Sequence, residues 1–312
     1  MLTMHYGFGV DLGGTTVKIA CFDDSGTMLA KWEIPTVVKN SGKQILPDIA
    51  ASVLAYIKEN DIPKSDVLGI GIGVPGAVDE AGIVAACDNL GWGKTDIQAE
   101  LSTLTNLPVA VGNDATVAAL GECWKGSGSD NMVLITLGTG VGGGIIVSGK
   151  PLYGVRGAAG EIGHMVLNRN ETRVCGCGKR GCAEQYCSAT GIVRVAKDYL
   201  AQYKENSSLR AIENFTCKDV FRAAEENDAA AIAILEQVYA YMGEFIANIC
   251  AVLNPAQIVI GGGVSKAGQM LLDGIKRHFV RYAYHACADT KFKLASLGND
   301  AGVYGAVKLI LN

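Results

Sequence analysis

Between positions 161 and 184 the chain reads Glu161-Ile-Gly-His164 and then Cys175-Gly-Cys177-Gly-Lys-Arg-Gly-Cys182-Ala-Glu184. Three thiols and one imidazole complete a ligand set for tetrahedral zinc. Glycines at 176, 178 and 181 let the backbone turn tightly enough for the sulfurs to converge. Glu161 and Glu184 are carboxylates that such a metal need not use. Two glycine-rich stretches offer a different chemistry. Asp11-Leu-Gly13-Gly14-Thr15-Thr16-Val-Lys18 and Gly138-Thr139-Gly140-Val-Gly-Gly-Gly144 each place backbone N–H groups and a hydroxyl at a loop tip, the first with an ammonium beside them. Such loops suit phosphate oxygens, because glycine lets the backbone approach. One alone is as readily a hairpin turn; two favour a nucleotide. Gly112-Asn113-Asp114 falls between a strand end and a helix, where open α/β sheets bind ligands. Asp114 there is either a helix N-cap or a general base accepting a hydroxyl proton. Asn113, Glu161 and Glu184 carry hydrogen-bonding groups suited to a polyhydroxyl ligand.

Two other nucleotide motifs fail on inspection. Gly93-Lys94-Thr95 would need glycine at 88 to be a Walker A loop, and that residue is Asp88. Gly138-x-Gly140-x-x-Gly143 spells the dinucleotide fingerprint, but Ile145-Ile-Val147 after it is β-branched and reads as a strand, not as the helix the fingerprint requires.

The positioning elements follow from periodicity and turn residues. Strands over 6–10 and 17–22 flank the first glycine tip. A helix is expected over 44–59, strands over 67–74 and 108–111, and a helix over 115–124. Strands over 132–137 and 145–147 flank the second tip, taken as 138–144, so the opening motif recurs as an internal duplication with one unit per domain. The chain is mainly helical from 188, including 229–253. A strand over 258–260, a glycine turn at 261–263 and helices over 267–279 and 301–311 complete it.

Bulk properties narrow the class. The chain has 312 residues, 49% of them hydrophobic and 19% charged, enough for two globular domains. A net charge of −4 gives no basic footprint for nucleic acid. No leader precedes the first strand, so a reducing cytoplasmic setting is expected and the clustered cysteines read as metal ligands before disulfides. Cys21, Cys87, Cys123 and Cys250 read as small buried hydrophobes. The uncharged stretches 131–149 and 245–265 are broken by a glycine run and by Asn254-Pro255, and read as buried elements rather than membrane spans.

Taken in order, the two glycine motifs, Gly112-Asn-Asp-Ala115, Glu161-Ile-Gly-His164 and the Cys-x-Cys-Gly-x-x-Gly-Cys-x-Glu run resemble the ROK family of repressors, open reading frames and sugar kinases, over essentially the whole chain. Asn89-Leu-Gly-Trp92, Ala118-Ala-Leu-Gly-Glu122, Ser188-Ala-Thr-Gly-Ile-Val193 and Leu297-Gly-Asn-Asp-Ala-Gly302 look most like its bacterial glucokinases. The resemblance implies an α/β, actin-like ATPase or hexokinase fold (ribonuclease H-like, duplicated), with two lobes and a central cleft. Residues 1–114 with about 300–312 would form the smaller lobe, and 115–299 the larger, carrying the zinc loop 161–184. It implies ATP-dependent phosphorylation of glucose to glucose 6-phosphate, with Asp114 as base. Gly76, Asn89, Asn113, Asp114, Glu161, His164 and Glu184 would bind the sugar. Asp11 would lie near Mg2+ and the phosphates; Gly13, Gly14, Thr15 and Lys18 would form one phosphate motif, and Gly138, Thr139 and Gly140 the other. Gly261, Gly262 and Gly263 would approach the adenosine. Structural Zn2+ would sit on His164, Cys175, Cys177 and Cys182, the second ring nitrogen of His164 turning to the sugar. A homodimer is implied, with no nucleic acid or membrane partner.

Two rivals share the motifs. A repressor of this family needs an N-terminal helix-turn-helix domain, and a first strand at about Tyr6 leaves no room for one. A kinase for N-acetylmannosamine, allose or fructose, or one using polyphosphate as donor, would show the same glycine loops, metal run and base.

Overall fold

The computed structural model describes residues 4–79, 81–85, 87–204 and 206–311. The ends of the expected lobes, 1–3 and 312, therefore lie outside the described residues. The chain divides into two compact units: 1–130 with 144–160 and 296–312, and 131–143 with 161–295. The expected boundary at 114/115 thus falls inside the first unit, which keeps the helix after it for a packing reason given below.

In the first unit the elements run β1 (Tyr6–Leu12), β2 (Thr16–Asp23), β3 (Met28–Pro35), α1 (Ile45–Glu59), β4 (Val67–Val74), β5 (Ile83–Val84), β6 (Thr95–Asp96), α2 (Ile97–Thr105), β7 (Val109–Asn113) and α3 (Asp114–Lys125). Five strands form a sheet in the order β3-β2-β1-β4-β7. β2 is antiparallel to β1 and β3, while β4 is parallel to β1 and β7. Phe8, Val10, Ile70, Ile72 and Val74 pack with Ile49 and Val53 of α1 in one core. That apolar seam is why the 3.6-residue pattern of α1 was legible.

The other half of the chain supplies β8 (Met132–Leu137), β9 (Val141–Val147), β10 (Lys150–Pro151), α4 (Glu184–Cys187), α5 (Ala189–Gln202), α6 (Cys217–Glu225), α7 (Ala229–Leu253), β11 (Gln257–Gly261), α8 (Gly268–Tyr282), β12 (Lys291–Leu294) and α9 (Ala301–Lys308). Its sheet runs β10-β9-β8-β11-β12, with β11 parallel to β8 and β12 and β10 antiparallel to β9. Numbered in chain order within each five-stranded sheet, both run third, second, first, fourth, fifth strand. The duplication suggested by the two glycine hairpins is therefore present in the topology.

The C-terminal helix α9 belongs to the first unit and lies on its sheet opposite α1. Ala20 and Phe22 pack there with Val303, Val307 and Leu311. Glycines let the backbones touch: a Cβ on Gly71 would stand 1.7 Å from the Ala306 carbonyl oxygen, and one on Gly305 would stand 1.6 Å from that of Val117 in α3. This α3–α9 contact ties α3 to the first unit.

In the second unit α7 is long and apolar enough to cross a membrane. Its apolar residues, including Ile234, Leu235, Val238, Met242, Phe245 and Ile249, are buried in the fold, which makes it a core helix.

Several elements differ from the sequence reading. The edge strands β3 and β12, the two-residue strands β5, β6 and β10, and the short helices α2 and α4 were not expected. The second glycine tip is shorter than 138–144: Gly142–Gly144 already lie in β9. Gly144 is there because a Cβ would meet the Ala119 Cβ at 2.4 Å and the Ala115 carbonyl oxygen at 2.5 Å.

Candidate active site and metal cluster

In the first unit the β1–β2 turn is only Gly13–Thr15, and Asp11 and Lys18 face each other across the strands. Their side chains pair at 3.3 Å, and Lys18 also donates to the Asn299 carbonyl at 3.3 Å. Burial raises the Asp11 carboxyl, and the Lys18 ammonium opposes that shift. Thr36 braces the tip: its N–H donates to the Thr15 carbonyl at 2.9 Å and its hydroxyl to the Gly13 carbonyl at 2.7 Å. Thr36 lies just after the unexpected edge strand, so its role was not legible.

At the end of β7 the cap ambiguity resolves. The Asn113 side chain caps α3, its Oδ1 accepting from Thr116 N–H at 3.1 Å. Its Nδ2 donates to the Gly76 carbonyl at 3.0 Å and to Asp114 Oδ1 at 3.0 Å. Asp114 Oδ1 also accepts from Ala115 N–H at 2.8 Å. With the capping done by Asn113, Asp114 is not needed as the N-cap. Gly76, with φ +96, Asn113 and Asp114 thus form one hydrogen-bonded group. Asn89 is exposed, in the loop closed by backbone bonds between Cys87 and Trp92 of 2.9 and 3.0 Å.

In the second unit His164, Cys175, Cys177 and Cys182 converge, each offering one ligand atom within 4.8 Å of the others. Cys177 Sγ and Cys182 Sγ stand 3.6 Å apart, and Cys175 Sγ stands 3.8 Å from His164 Nδ1. Sulfurs held about 2.3 Å from a zinc at tetrahedral angles stand about 3.8 Å apart, whereas a disulfide needs about 2.05 Å. Burial raises the Cys175 thiol and pushes that of Cys182 up to about 12; a bound metal supplies the ionisation that such thiols resist. The donor set therefore fits zinc. His164 Nε2 lies on the other side of the ring, 3.7 Å from Glu161 Oε2.

Gln185 shapes this loop, although no motif drew attention to it. It is buried; its Oε1 accepts from Gly181 and Cys182 N–H at 2.8 and 3.2 Å, and its Nε2 donates to the Arg173 carbonyl at 3.1 Å. Behind it, buried Glu171 accepts from Arg173 Nε at 2.9 Å and from the Tyr186 hydroxyl at 2.7 Å. The Arg173 guanidinium holds the Glu171 carboxyl well below the usual carboxylate range.

Glu184 is not a spare carboxylate in this arrangement. Its Oε2 accepts from Val141 N–H at 3.0 Å, at the foot of the Gly138–Gly140 turn, and its Oε1 lies 3.7 Å from Cys175 Sγ. Gly138 N–H closes that turn on the Gly140 carbonyl at 3.0 Å.

Of the third glycine group, Gly261 is the buried end of β11. Gly262, at φ +81, lies so close to Leu137 that a Cβ would stand 2.5 Å from its carbonyl oxygen. Gly263 lines a cavity of about 610 Å3 together with Ala189, Thr216, Cys217, Phe221, Arg222 and Val264, among others. The size suits a small ligand. Its α6 wall was missed, though Thr216-x-x-Asp219 announces that helix: the Asp219 carboxylate accepts from Thr216 N–H at 2.8 Å.

Residues 7–312 match the ROK family. A glucokinase of Halalkalibacterium halodurans is 46% identical over 97% of this chain and 94% of its own, and one of Thermotoga maritima is 34% identical over 97% and 96%. A ROK family glucokinase of Streptomyces griseus, solved with glucose and AMPPNP, superposes with a TM-score of 0.75 at 32% identity, covering 98% of this chain and 99% of that one. The chain belongs to the ROK family, and its mixed α/β fold is that of the family's sugar kinases, the actin-like ATPase fold.

Proposed function

We propose that this chain transfers the γ-phosphoryl group of ATP to glucose, giving glucose 6-phosphate and ADP. The observation that carries the reading is the 46% identity, across nearly the whole chain, to a glucokinase. The local geometry supports it. Asp114 accepts the proton of the sugar's 6-hydroxyl as that oxygen bonds to phosphorus and the bond to the ADP oxygen breaks. Asn113 holds Asp114 Oδ1 and leaves the helix cap filled. Glu161, the Nε2 side of His164 and Glu184 bind sugar hydroxyls, with Gly76 and Asn89 as further contacts.

Phosphoryl transfer asks for in-line placement and charge neutralisation more than for covalent chemistry. The turns at Gly13–Thr15 and Gly138–Gly140 offer the amides for the phosphates, Lys18 an ammonium, and the cavity beside Gly263 the space for the nucleoside. The Asp11 carboxylate would hold a magnesium ion, which takes few protein ligands when phosphates supply the rest and would neutralise phosphate charge. Zinc on His164, Cys175, Cys177 and Cys182 is structural, because four protein ligands leave no open position. The family resemblance supports a homodimer.

The test is ADP release with magnesium and ATP across glucose, mannose, fructose, allose and N-acetylmannosamine. Glucose is expected to give the highest kcat/KM. A higher value for another sugar would replace glucose in the assignment, and no ADP release with any of them would remove the kinase reading.

A further inference from the structure

The segment that follows Cys182 grips the second glycine turn at three points. Glu184, two residues after Cys182, accepts Val141 N–H at 3.0 Å. Ala189 N–H donates to the Gly138 carbonyl at 2.8 Å. The Thr190 hydroxyl donates to the Thr139 carbonyl at 2.8 Å. The last two bonds occupy carbonyls of the turn itself, fixing the peptide planes on either side of Thr139 and therefore the directions of the neighbouring N–H groups. The segment is short and stiff. Ser188 is fully buried, its hydroxyl donating to the Glu184 carbonyl at 2.7 Å and accepting from Gly191 N–H at 2.9 Å, so the start of α5 is locked to α4. At its other end Gln185 bonds the backbone N–H of Cys182. A polar path therefore runs from the cysteine cluster to the turn without leaving residues 182–190.

We propose that residues 182–190 form a strap through which the metal cluster sets the amide geometry of the 138–140 turn, and that Thr190 is a positioning residue for the nucleotide's phosphates. This rests on the reading of that turn as a phosphate site. Metal binding and nucleotide binding are then linked, and each raises the affinity for the other by the same factor. Loss of the metal weakens binding of the phosphates as well as of the sugar.

Thr190 is exposed, so its substitution leaves the core intact. In the zinc-loaded full chain, Thr190→Val removes the hydroxyl and keeps the shape. Losing one hydrogen bond to the turn is expected to raise the Kd of Mg-AMPPNP by about 2- to 10-fold, with the affinities for adenosine and glucose and the zinc content unchanged. Thr190→Ser is expected to restore AMPPNP binding. Wild-type AMPPNP affinity in Thr190→Val overturns the proposal, and so does an equal loss of adenosine affinity, which would mark a general loosening. A second measurement needs no nucleotide. Amide hydrogen exchange at Val141 is expected to speed up when zinc is chelated from the wild-type chain. Unchanged exchange there overturns the strap even if AMPPNP binds, whereas faster exchange in a chain that binds no AMPPNP upholds the strap and refutes the ATP reading.

Discussion

Glu122 offers the sharpest test of how this fold spends a charged group in its interior. The side chain is fully buried in α3. Its Oε2 accepts from Ser127 N–H at 2.8 Å and Ser296 N–H at 3.2 Å, and its Oε1 accepts from Leu297 N–H at 2.8 Å. Every one of these partners is a donor, so both oxygens must accept. In Glu122→Ala three part-buried N–H groups lose their acceptor, and at about 1 kcal/mol or somewhat more for each the loss of stability is about 3–5 kcal/mol. Glu122→Gln is the discriminating variant. It is nearly isosteric, yet whichever way its amide turns, an NH2 group faces a backbone N–H. It should therefore cost almost as much as alanine. At about 2 °C per kcal/mol for a chain of this size, calorimetry should find both variants melting about 6–10 °C lower. If Glu122→Gln melts within about 1 °C of wild type while alanine does not, the cost is packing, and the acceptor argument is wrong.

Other expectations follow from single sites. Asp114→Asn should bind glucose nearly as well as wild type while kcat drops by about 10^2- to 10^4-fold; near wild-type turnover in a coupled assay would rule Asp114 out as the base. Gly305→Ala places a Cβ 1.6 Å from the Val117 carbonyl oxygen and should cost about 3 kcal/mol or more; an unchanged urea midpoint would contradict the close α3–α9 packing. Because the Arg173 pairing lowers the Glu171 carboxyl, its contribution to stability is complete above the unfolded value of about 4.3 and is lost as pH falls below it. Melting temperature measured down to about pH 3 should therefore fall less steeply in Glu171→Gln than in wild type, and parallel acid limbs would exclude this pair as a cause. Cys182→Ser should reduce zinc, measured by elemental analysis, from about one per chain and weaken glucose binding in calorimetry; full zinc content would disprove its place in the ligand set.

The elements legible in the sequence were those whose constraint is local. The cysteine run and both glycine hairpins announce themselves by residue type, and α1 and α7 by period or length. β3 and β12 were not, because edge strands keep one face in solvent: Lys291 and Lys293 leave only Phe292 and Leu294 as apolar signal. Gly142–Gly144 read as loop because nothing nearby in sequence shows that α3 presses on Gly144. Asn113 and Asp114 are both good capping types, so only geometry could divide the work between them. Glu122 was invisible for the same reason: an acid within an amphipathic helix reads as solvated until its distant donors, Ser296 and Leu297, are placed.

The docking of α9 has a consequence for how the chain is made. Gly9 in β1 meets the backbone of Val303, where a Cβ would stand 2.1 Å from the carbonyl oxygen. During synthesis β1 therefore waits for a partner encoded almost three hundred residues later. At about 5–20 residues per second, its sheet lacks that cover for about 15–60 s, with the apolar residues Ala20 and Phe22 exposed on that face. The second unit contains no segment later than residue 295 and can finish first. The unit that is begun earlier is thus the one completed later, and its sheet keeps one apolar face uncovered until α9 arrives.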